Sequence, residues 1–428
     1  METTISKAWQ GSKLLIKGLI IAGLVLLLLI PAWLVRDLIE ERQASQQEAF
    51  TEVSSKWAGR QHVTGPVLVV PYEEQIPGGK ELTKIRKLAY LLPEKLEIKA
   101  EVKPEKRYRG IYEVMLYSAS TDLKGYFNAA SLSELKIDPA LTRWDEAYIC
   151  MDIADVKGIT DPPAVKWKDA ALPLKPSAVK NAVADHPFMA PVSIAAGETV
   201  SFSCNIRLNG SEHLMFTPAG RETDIHLESS WPDPSFTGAQ LPDHEITDNG
   251  FTASWKSYSH SRSFPQVWSE QKVSLRDASV GASFFIPVNA YQKTMRSVKY
   301  AALCIILTFA AFFIIETISK KSAHPLQYAL IGIALILFYV LLLSFSEYTG
   351  FNAAYIIAGA ATVGLIAWFV KGVLQSGRFT TILSLVLVLM YGYLFSILQL
   401  QDYSLLLGST GLFITLAVIM NYTRRIKW

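Results

Sequence analysis

Hydrophobic positions fall into two textures along this chain, long uninterrupted runs at its ends and short alternating segments between them. Residues 18–35 carry no charge, and 24–30 have no polar side-chain atom. At 1.5 Å per residue such a run reaches about 27 Å as a helix, enough to cross the hydrocarbon of a bilayer. Five more runs follow late in the chain, at 300–315, 326–345, 353–370, 379–400 and 403–420. Each predicts a helix, because an open strand in lipid leaves its backbone groups unpaired. The first run closes on Pro31, Trp33, Leu34 and Val35 ahead of Arg36 and Asp37, without the small residues of a cleavage site. That ending predicts an uncleaved anchor rather than a signal peptide.

After the first run the polar stretch 36–57 keeps a helical pattern, with Phe50, Val53 and Trp57 on one face, so the first helix is predicted to continue beyond the membrane. The period then changes to two. Leu96, Ile98, Ala100 and Val102 alternate with Glu97, Lys99 and Glu101, as in a half-buried strand, and 111–117, 148–153, 200–208 and 224–229 behave similarly. Turn signals separate them, including Pro77-Gly78-Gly79, Asp161-Pro162-Pro163 and Asn249-Gly250. Many short strands and few helical patterns predict a mostly antiparallel sandwich or pair of sheets. The predicted fold is therefore a six-span α-helical membrane protein with a large β-rich, sandwich-like domain inserted between spans one and two. Its segments are 1–36, 37–299 and 300–428.

Composition supports this division. Half the chain is apolar and only 18% is charged, well under the roughly 25% of a soluble domain, and the charge is concentrated in 37–299, where Lys and Arg nearly balance Asp and Glu. A net charge of +3, with no basic block interleaved with aromatics, gives no support to nucleic-acid binding. Loop charge sets the orientation. Lys7, Lys13 and Lys17 precede the first run; Lys320 and Lys321, then Lys371 and Arg378, then Arg424, Arg425 and Lys427 follow the second, fourth and sixth. The alternate loops, 346–352 and 401–402, have no Lys or Arg. By the positive-inside rule both termini are predicted to be cytoplasmic and 37–299 to lie outside.

Chemical motifs are sparse. No Gly-x-Ser-x-Gly turn occurs, Pro77-Gly78-Gly79-Lys80 lacks the spacing and hydroxyl of a phosphate loop, and the seven His are scattered. No catalytic residue, cofactor site or metal site is predicted. Cys150 and Cys204, both in predicted strands of the exported part, are either a disulfide or two buried thiols, since spacing alone does not give the Cα separation a bridge needs. Polar residues beside the runs stand out more. Glu316 ends the second run, His324 and Gln327 open the third, and Glu347 closes it; all sit at span ends within reach of water, so helix capping and interfacial anchoring compete with a role in transport. In the exported part Trp231, Phe236 and Trp255 recur in a Trp- and Pro-rich strip that reads either as a partner surface or as sandwich core.

Several stretches resemble the CreD family of bacterial inner-membrane, or cell-envelope integrity, proteins. They include Leu208-Asn209-Gly210, Phe216-Thr217-Pro218-Ala219-Gly220, Ser230-Trp231-Pro232-Asp233-Pro234-Ser235-Phe236, Gly250-Phe251-Thr252-Ala253-Ser254-Trp255 and Pro287-Val288-Asn289-Ala290-Tyr291. The most specific run is Glu316, His324-Pro325-Leu326-Gln327-Tyr328, Phe338-Tyr339, Ser346-Glu347 and Gly350-Phe351. The resemblance implies an inner-membrane location, a periplasmic outer domain, and a part in envelope integrity, colicin tolerance and the β-lactam response without enzymatic activity. Three functions follow as expectations: a non-enzymatic protein whose periplasmic domain binds another envelope protein or a cell-wall component while the helices anchor it in the lipid bilayer; a transporter or lipid-handling protein acting through the helices; and an enzyme using periplasmic acids such as Asp152, Asp155 and Asp161.

Overall fold

The computed structural model describes the chain from residue 2 to residue 420, apart from 79–80, 185, 270, 272, 285–289, 320, 401–405, 412, 414–416 and 418–419; side chains are described from residue 16 onward, those of 76–83 excepted. The chain forms two compact units, one of Met1–Gln47 with Val288–Trp428 and one of Glu48–Pro287.

Six α-helices are described, α1 Glu2–Trp57, whose last ten residues belong to the second unit, and, in the first unit, α2 Ala290–Lys299, α3 Ala301–Ser319, α4 Pro325–Thr349, α5 Phe351–Leu374 and α6 Gly377–Gln399. Five of them, all but α2, are long and apolar enough to cross a membrane, and they coincide with the first five predicted runs. The sixth run, 403–420, lies largely outside the described residues, as do the tail basics Arg424, Arg425 and Lys427. The apolar run and the polar helical pattern after it form one continuous helix, α1. Most of its apolar surface faces outward, but Leu28, Ala32, Val35 and Ile39 are buried in a stripe spaced by three or four residues. Leu28 lies against Gly332 of α4, in the space a side chain there would fill, and Phe309 of α3 closes the same spot. The short α2 falls within the stretch assigned by sequence to the exported part but clusters with the first unit. It buries Tyr291, Thr294, Ser297 and Val298, and its Lys293 donates to Gln399 of α6 at 3.0 Å.

The second unit consists of two sheets that share one hydrophobic core. The nine-stranded sheet is built around Gln61–Gly78, flanked by His213–Phe216 and Tyr148–Ile153, with Val280–Ser283 and Ser235–Gly238 beyond one side and Phe188–Pro191 and Lys175–Pro176 beyond the other. Glu81–Leu91 folds back on Gln61–Gly78 as a hairpin and carries Val267–Ser269. The eight-stranded sheet centres on the long hairpin of Lys95–Arg109 and Tyr112–Asn128, extended by Glu222–Ser229 on one side and Thr199–Ser211 on the other. Pairing is antiparallel except at Gln61–Val63 with Leu214–Phe216 and at Glu222–Ser229 with Lys95–Val102. The alternation is clearest at Leu96, Ile98, Ala100 and Val102, which are buried while Glu97, Lys99 and Glu101 are not, and it recurs in 200–208 and 224–229; 114–117 and 149–153 are instead buried at every position, and Ile111 is exposed ahead of its strand. Asn249-Gly250 makes the turn before Gly250–Tyr258, with Gly250 at φ 138°, a conformation that favours glycine.

Cys150 and Cys204 are both free. They are buried, on Tyr148–Ile153 and Thr199–Ser211, the second of the two alternatives. Burial pushes each thiol up to about 12, which keeps both protonated and poor nucleophiles at neutral pH.

The Leu28–Gly332 approach leaves no room for a larger residue. Gly332→Leu is expected to force α1 off α4 and to lower stability by about 1–3 kcal/mol, the usual cost of overpacking. Thermal unfolding of the detergent-solubilised chain measures this, with Gly364→Leu, at a position where an added Cβ meets nothing within 4 Å, as the comparison.

Candidate functional site

Three polar arrangements are candidates, two in the helical unit and one in the β unit. The first is centred on Glu316, at the end of α3. The sequence reading left this carboxylate within reach of water, but the side chain is 7% exposed. It forms an ion pair with Lys17 of α1, accepts the backbone N–H of Ala323 at 2.8 Å and accepts the Tyr328 hydroxyl of α4 at 2.7 Å. Lys17 also donates to the Ala323 carbonyl at 2.8 Å, and the Tyr328 ring packs edge-on against Phe309 and Phe312 of α3. The burial follows from packing: α1 comes close enough to α4 at Gly332 to bring Lys17, three turns earlier, over the α3–α4 connection. A buried carboxylate held by three donors from α1, α4 and the α3–α4 connection ties those elements together.

His324 and Gln327 act at the start of α4. The His324 imidazole accepts the Leu326 N–H at 3.3 Å, and the Gln327 side-chain oxygen accepts the His324 N–H at 3.0 Å, a reciprocal capping box with Pro325 at the first helical position. Capping, one of the two sequence alternatives, is what these residues do here. Glu347, at the other end of α4, is half-buried and accepts the Tyr291 hydroxyl at 2.9 Å, which fastens α2 to α4. Glu316, on α3, is bonded beside the start of α4, whereas Glu347 lies at the far end of α4, so the two do not form a single site.

Trp231 and Trp255 are buried, at 6% and 2% exposure. Their indole N–H groups donate to the Asp233 and Gln240 backbone carbonyls at 2.9 and 3.1 Å. Phe236 packs edge-on against Phe251 and Trp255 and beside His244. Trp231 and Trp255 thus belong to the core, with Phe236 half-buried against it.

The third arrangement is a cleft of about 750 Å³ in the β unit. Its floor is the end of Tyr148–Ile153, where Asp152 and Ile153 are followed by Asp155; its walls are residues 176–178, 181–184 and 186 on one side and 273–276 on the other. Asn181 shapes one wall: its Oδ1 accepts the Val183 and Ala184 N–H groups and its Nδ2 donates to Cys150 Sγ at 3.3 Å. Asp152 is nearly buried and pairs with the half-exposed Arg276 at 2.6 Å. Asp155 Oδ2 accepts the Gly59 N–H at 2.8 Å and its Oδ1 the Lys157 N–H at 3.0 Å. Asp161 lies elsewhere, paired with Arg207 at 3.1 Å. The three acids therefore do not converge as an acid–base pair. Next to this cleft, on the first strand of the sheet, a buried hydroxyl network surrounds His62, whose Nε2 lies 2.6 Å from Ser279 Oγ and 3.2 Å from Thr217 Oγ1, with Thr64 Oγ1 2.9 Å further on. Burial, then the positive charges of Arg276 and His213, hold the imidazole pKa down to about 3, so it is neutral. Among the described residues no group of three His, Cys, Asp or Glu side chains is placed to hold a metal ion.

Residues 13–428 match the family described as Inner membrane protein CreD. The chain belongs to the CreD family. It is 32% identical to the Inner membrane protein CreD of Escherichia coli (strain K12) over 418 residues, 95% of this chain and 92% of that one. Solved structures give only remote likeness. The M1 zinc metallopeptidase of Deinococcus radiodurans is 8% identical with a TM-score of 0.23, over 45% of this chain and 42% of its own, and its E323A mutant has a TM-score of 0.24. At that level the likeness carries no functional weight. The stretches that brought the family to notice have mechanical roles. Tyr328 completes the Glu316 cluster, and Thr217 joins the His62 network. Gly210 leaves room for the Tyr117 phenol, whose hydroxyl donates to the His213 carbonyl at 2.7 Å. Lys17 and Arg276 were not singled out as site residues by sequence; a buried acid implied by a polar residue at a span end was the available signal for Lys17, and none existed for Arg276.

Two outcomes follow from these clusters. Glu316→Ala leaves Lys17 without its partner and is expected to destabilise the helical unit by about 3 kcal/mol, whereas the paired apolar replacement Lys17→Met/Glu316→Leu recovers most of that loss; melting temperatures of the two variants and the wild type decide it. His62 is a base whose folded pKa lies below its ordinary 6.5, so its contribution to stability is full above pH 6.5 and declines as pH falls toward 3. A steep acid limb in tryptophan-monitored unfolding between pH 6.5 and 4 is expected for the wild type, amounting to a few kcal/mol at about 1.36 kcal/mol per unit, and a flatter one for His62→Gln.

Proposed function

We propose that this CreD-family chain is a six-span inner-membrane protein, with both termini cytoplasmic and the β unit in the periplasm, that supports envelope integrity and stress tolerance by binding an envelope component without catalysing its conversion. The cleft at Asp152 and Arg276 carries this reading. There apolar walls, from Ile153, Val183, Val273 and Leu275, flank an ion pair between the nearly buried Asp152 and the half-exposed Arg276, the mixture expected of a site for a peptide-like segment with both apolar and charged groups. Its acids are committed to Arg276 and to backbone N–H groups, which favours binding over acid–base chemistry. The seat of recognition thus moves from the Trp231–Trp255 strip to the cleft. A transporter reading receives less support, since Glu316 and Glu347 are held in helix-to-helix bonds.

In vivo photo-crosslinking from position 186 in the cleft wall is expected to capture an envelope component, and crosslinking from position 347 is not; capture from 347 alone would move the active region into the helices. Ala178→Trp, which fills the cleft from an exposed position, is expected to reduce tolerance of envelope stress with unchanged protein level. A wild-type phenotype from it removes the cleft from the account.

A further inference from the structure

The antiparallel pair α4 and α5 leaves an apolar groove of about 250 Å³ on its outer face, lined by Leu330, Ile333 and Leu337 of α4 and by Leu365, Trp368 and Phe369 of α5. At one end it meets a second, wider pocket of about 580 Å³, lined by Gln327, Lys371, Gly372 and the same Trp368 and Phe369. The two are continuous through those shared aromatics. From Gln327 to Leu337 the path covers ten residues of α4, about 15 Å at 1.5 Å per residue, which is half the roughly 30 Å of hydrocarbon in a bilayer. The groove therefore has the depth of one leaflet, with its polar pocket at the headgroup level.

We propose that groove and pocket together form a site for one anionic phospholipid, its acyl chain lying between α4 and α5 and its phosphate received by Lys371 and Gln327. Lys371 is exposed and has no ion-pair partner among the described residues. No acid lines the pocket, and Gly372 adds no side chain to obstruct it. The Gln327 oxygen is engaged by His324, which leaves its amide N–H groups to donate. Lys321 and Arg378 belong to the same basic end of the helices in sequence order, so the local field favours a negative headgroup. A position in the last turn of α5 explains a lysine there through the helix dipole, but it explains neither the pocket beside the lysine nor the groove leading from it. A neighbouring transmembrane helix fits less well, because close helix contact favours small residues and this groove is rimmed by Leu, Ile and Trp.

Trp368, 74% exposed, is the reporter. The full chain in neutral detergent is titrated with phosphatidylglycerol or phosphatidylcholine carrying brominated acyl chains, and the Trp368 signal is taken as the difference between wild type and Trp368→Phe. Phosphatidylglycerol is expected to quench it at about fivefold lower mole fraction than phosphatidylcholine, the effect of one lysine near a headgroup. Lys371→Gln is expected to abolish that preference and Lys371→Arg to retain it. Equal quenching by both lipids, unchanged in Lys371→Gln, would show ordinary boundary lipid with Trp368 as an interfacial anchor and overturn the site. Absence of quenching by either lipid would show the groove covered by protein and overturn it equally.

Discussion

A single buried carboxylate organises the helical unit. Glu316 accepts from Lys17, Ala323 and Tyr328, and so holds the first helix to the third and fourth although Lys17 and Glu316 are separated by 299 positions in sequence. Apolar helices in lipid have little hydrophobic reason to prefer one neighbour over another, so packing and polar contacts decide which faces meet. Here both operate along the same line: Leu28 seated on Gly332 fixes the distance between α1 and α4, and the Lys17–Glu316 pair fixes the register. An apolar pair of similar volume would hold as tightly, but many registers would then compete. The charge pair tolerates few, and register is the best-attested use of buried ionic groups.

The β unit relies on a different constraint. Its long strands bury alternate residues on one shared core, and that alternation is what sets each strand's face and pairing. The bulky aromatics Trp231, Phe251 and Trp255 lie inside this core, where their ring contacts and indole N–H bonds consume the groups a partner would use. What stays open is the cleft at the end of Tyr148–Ile153, where the strand stops and segments distant in sequence arrive with their own internal bonds, Asn181 to Cys150 on one wall and Arg276 to Asp152 on the other. Loops positioned by a rigid sheet are the usual place for recognition.

The sequence was most informative where structure repeats. Period-two alternation located the strands at 96–102, 200–208 and 224–229, and uncharged runs located five helices, because those patterns are direct consequences of burying one face of a sheet or spanning a fixed thickness of hydrocarbon. For His324 and Gln327 it offered helix capping beside anchoring and a role in transport, and the structure shows the capping box. The sequence was least informative about pairings across long separations. Lys17 read as one of three basic residues marking the cytoplasmic side, and Glu316 as an acid at a water-exposed end; both descriptions are local and neither contains the other residue. The cleft was hidden for the same reason, since residues 152–156, 176–178, 181–184, 186 and 273–276 become neighbours only once the sheet order is known. The aromatic strip shows the converse difficulty: composition alone identifies anchors but not whether they face inward.

The division between these two kinds of residue bears on how function is distributed in this family. Residues in the stretches that resemble the family, Gly210, Thr217 and Tyr328, secure backbone approaches and buried hydrogen bonds rather than present chemistry outward. A scaffold fixed at such points leaves the cleft wall and the α4–α5 groove, lined largely by ordinary apolar and exposed residues, free to differ in side-chain detail without disturbing the fold. A protein that acts by binding requires only that combination: rigid registers within each unit, set by a few costly buried groups, and shallow recognition surfaces whose energetics come from shape and a single unpaired or half-exposed cation. Arg276 in the cleft and Lys371 at the groove are both of that type, and neither depends on a reactive group being held near its transition state.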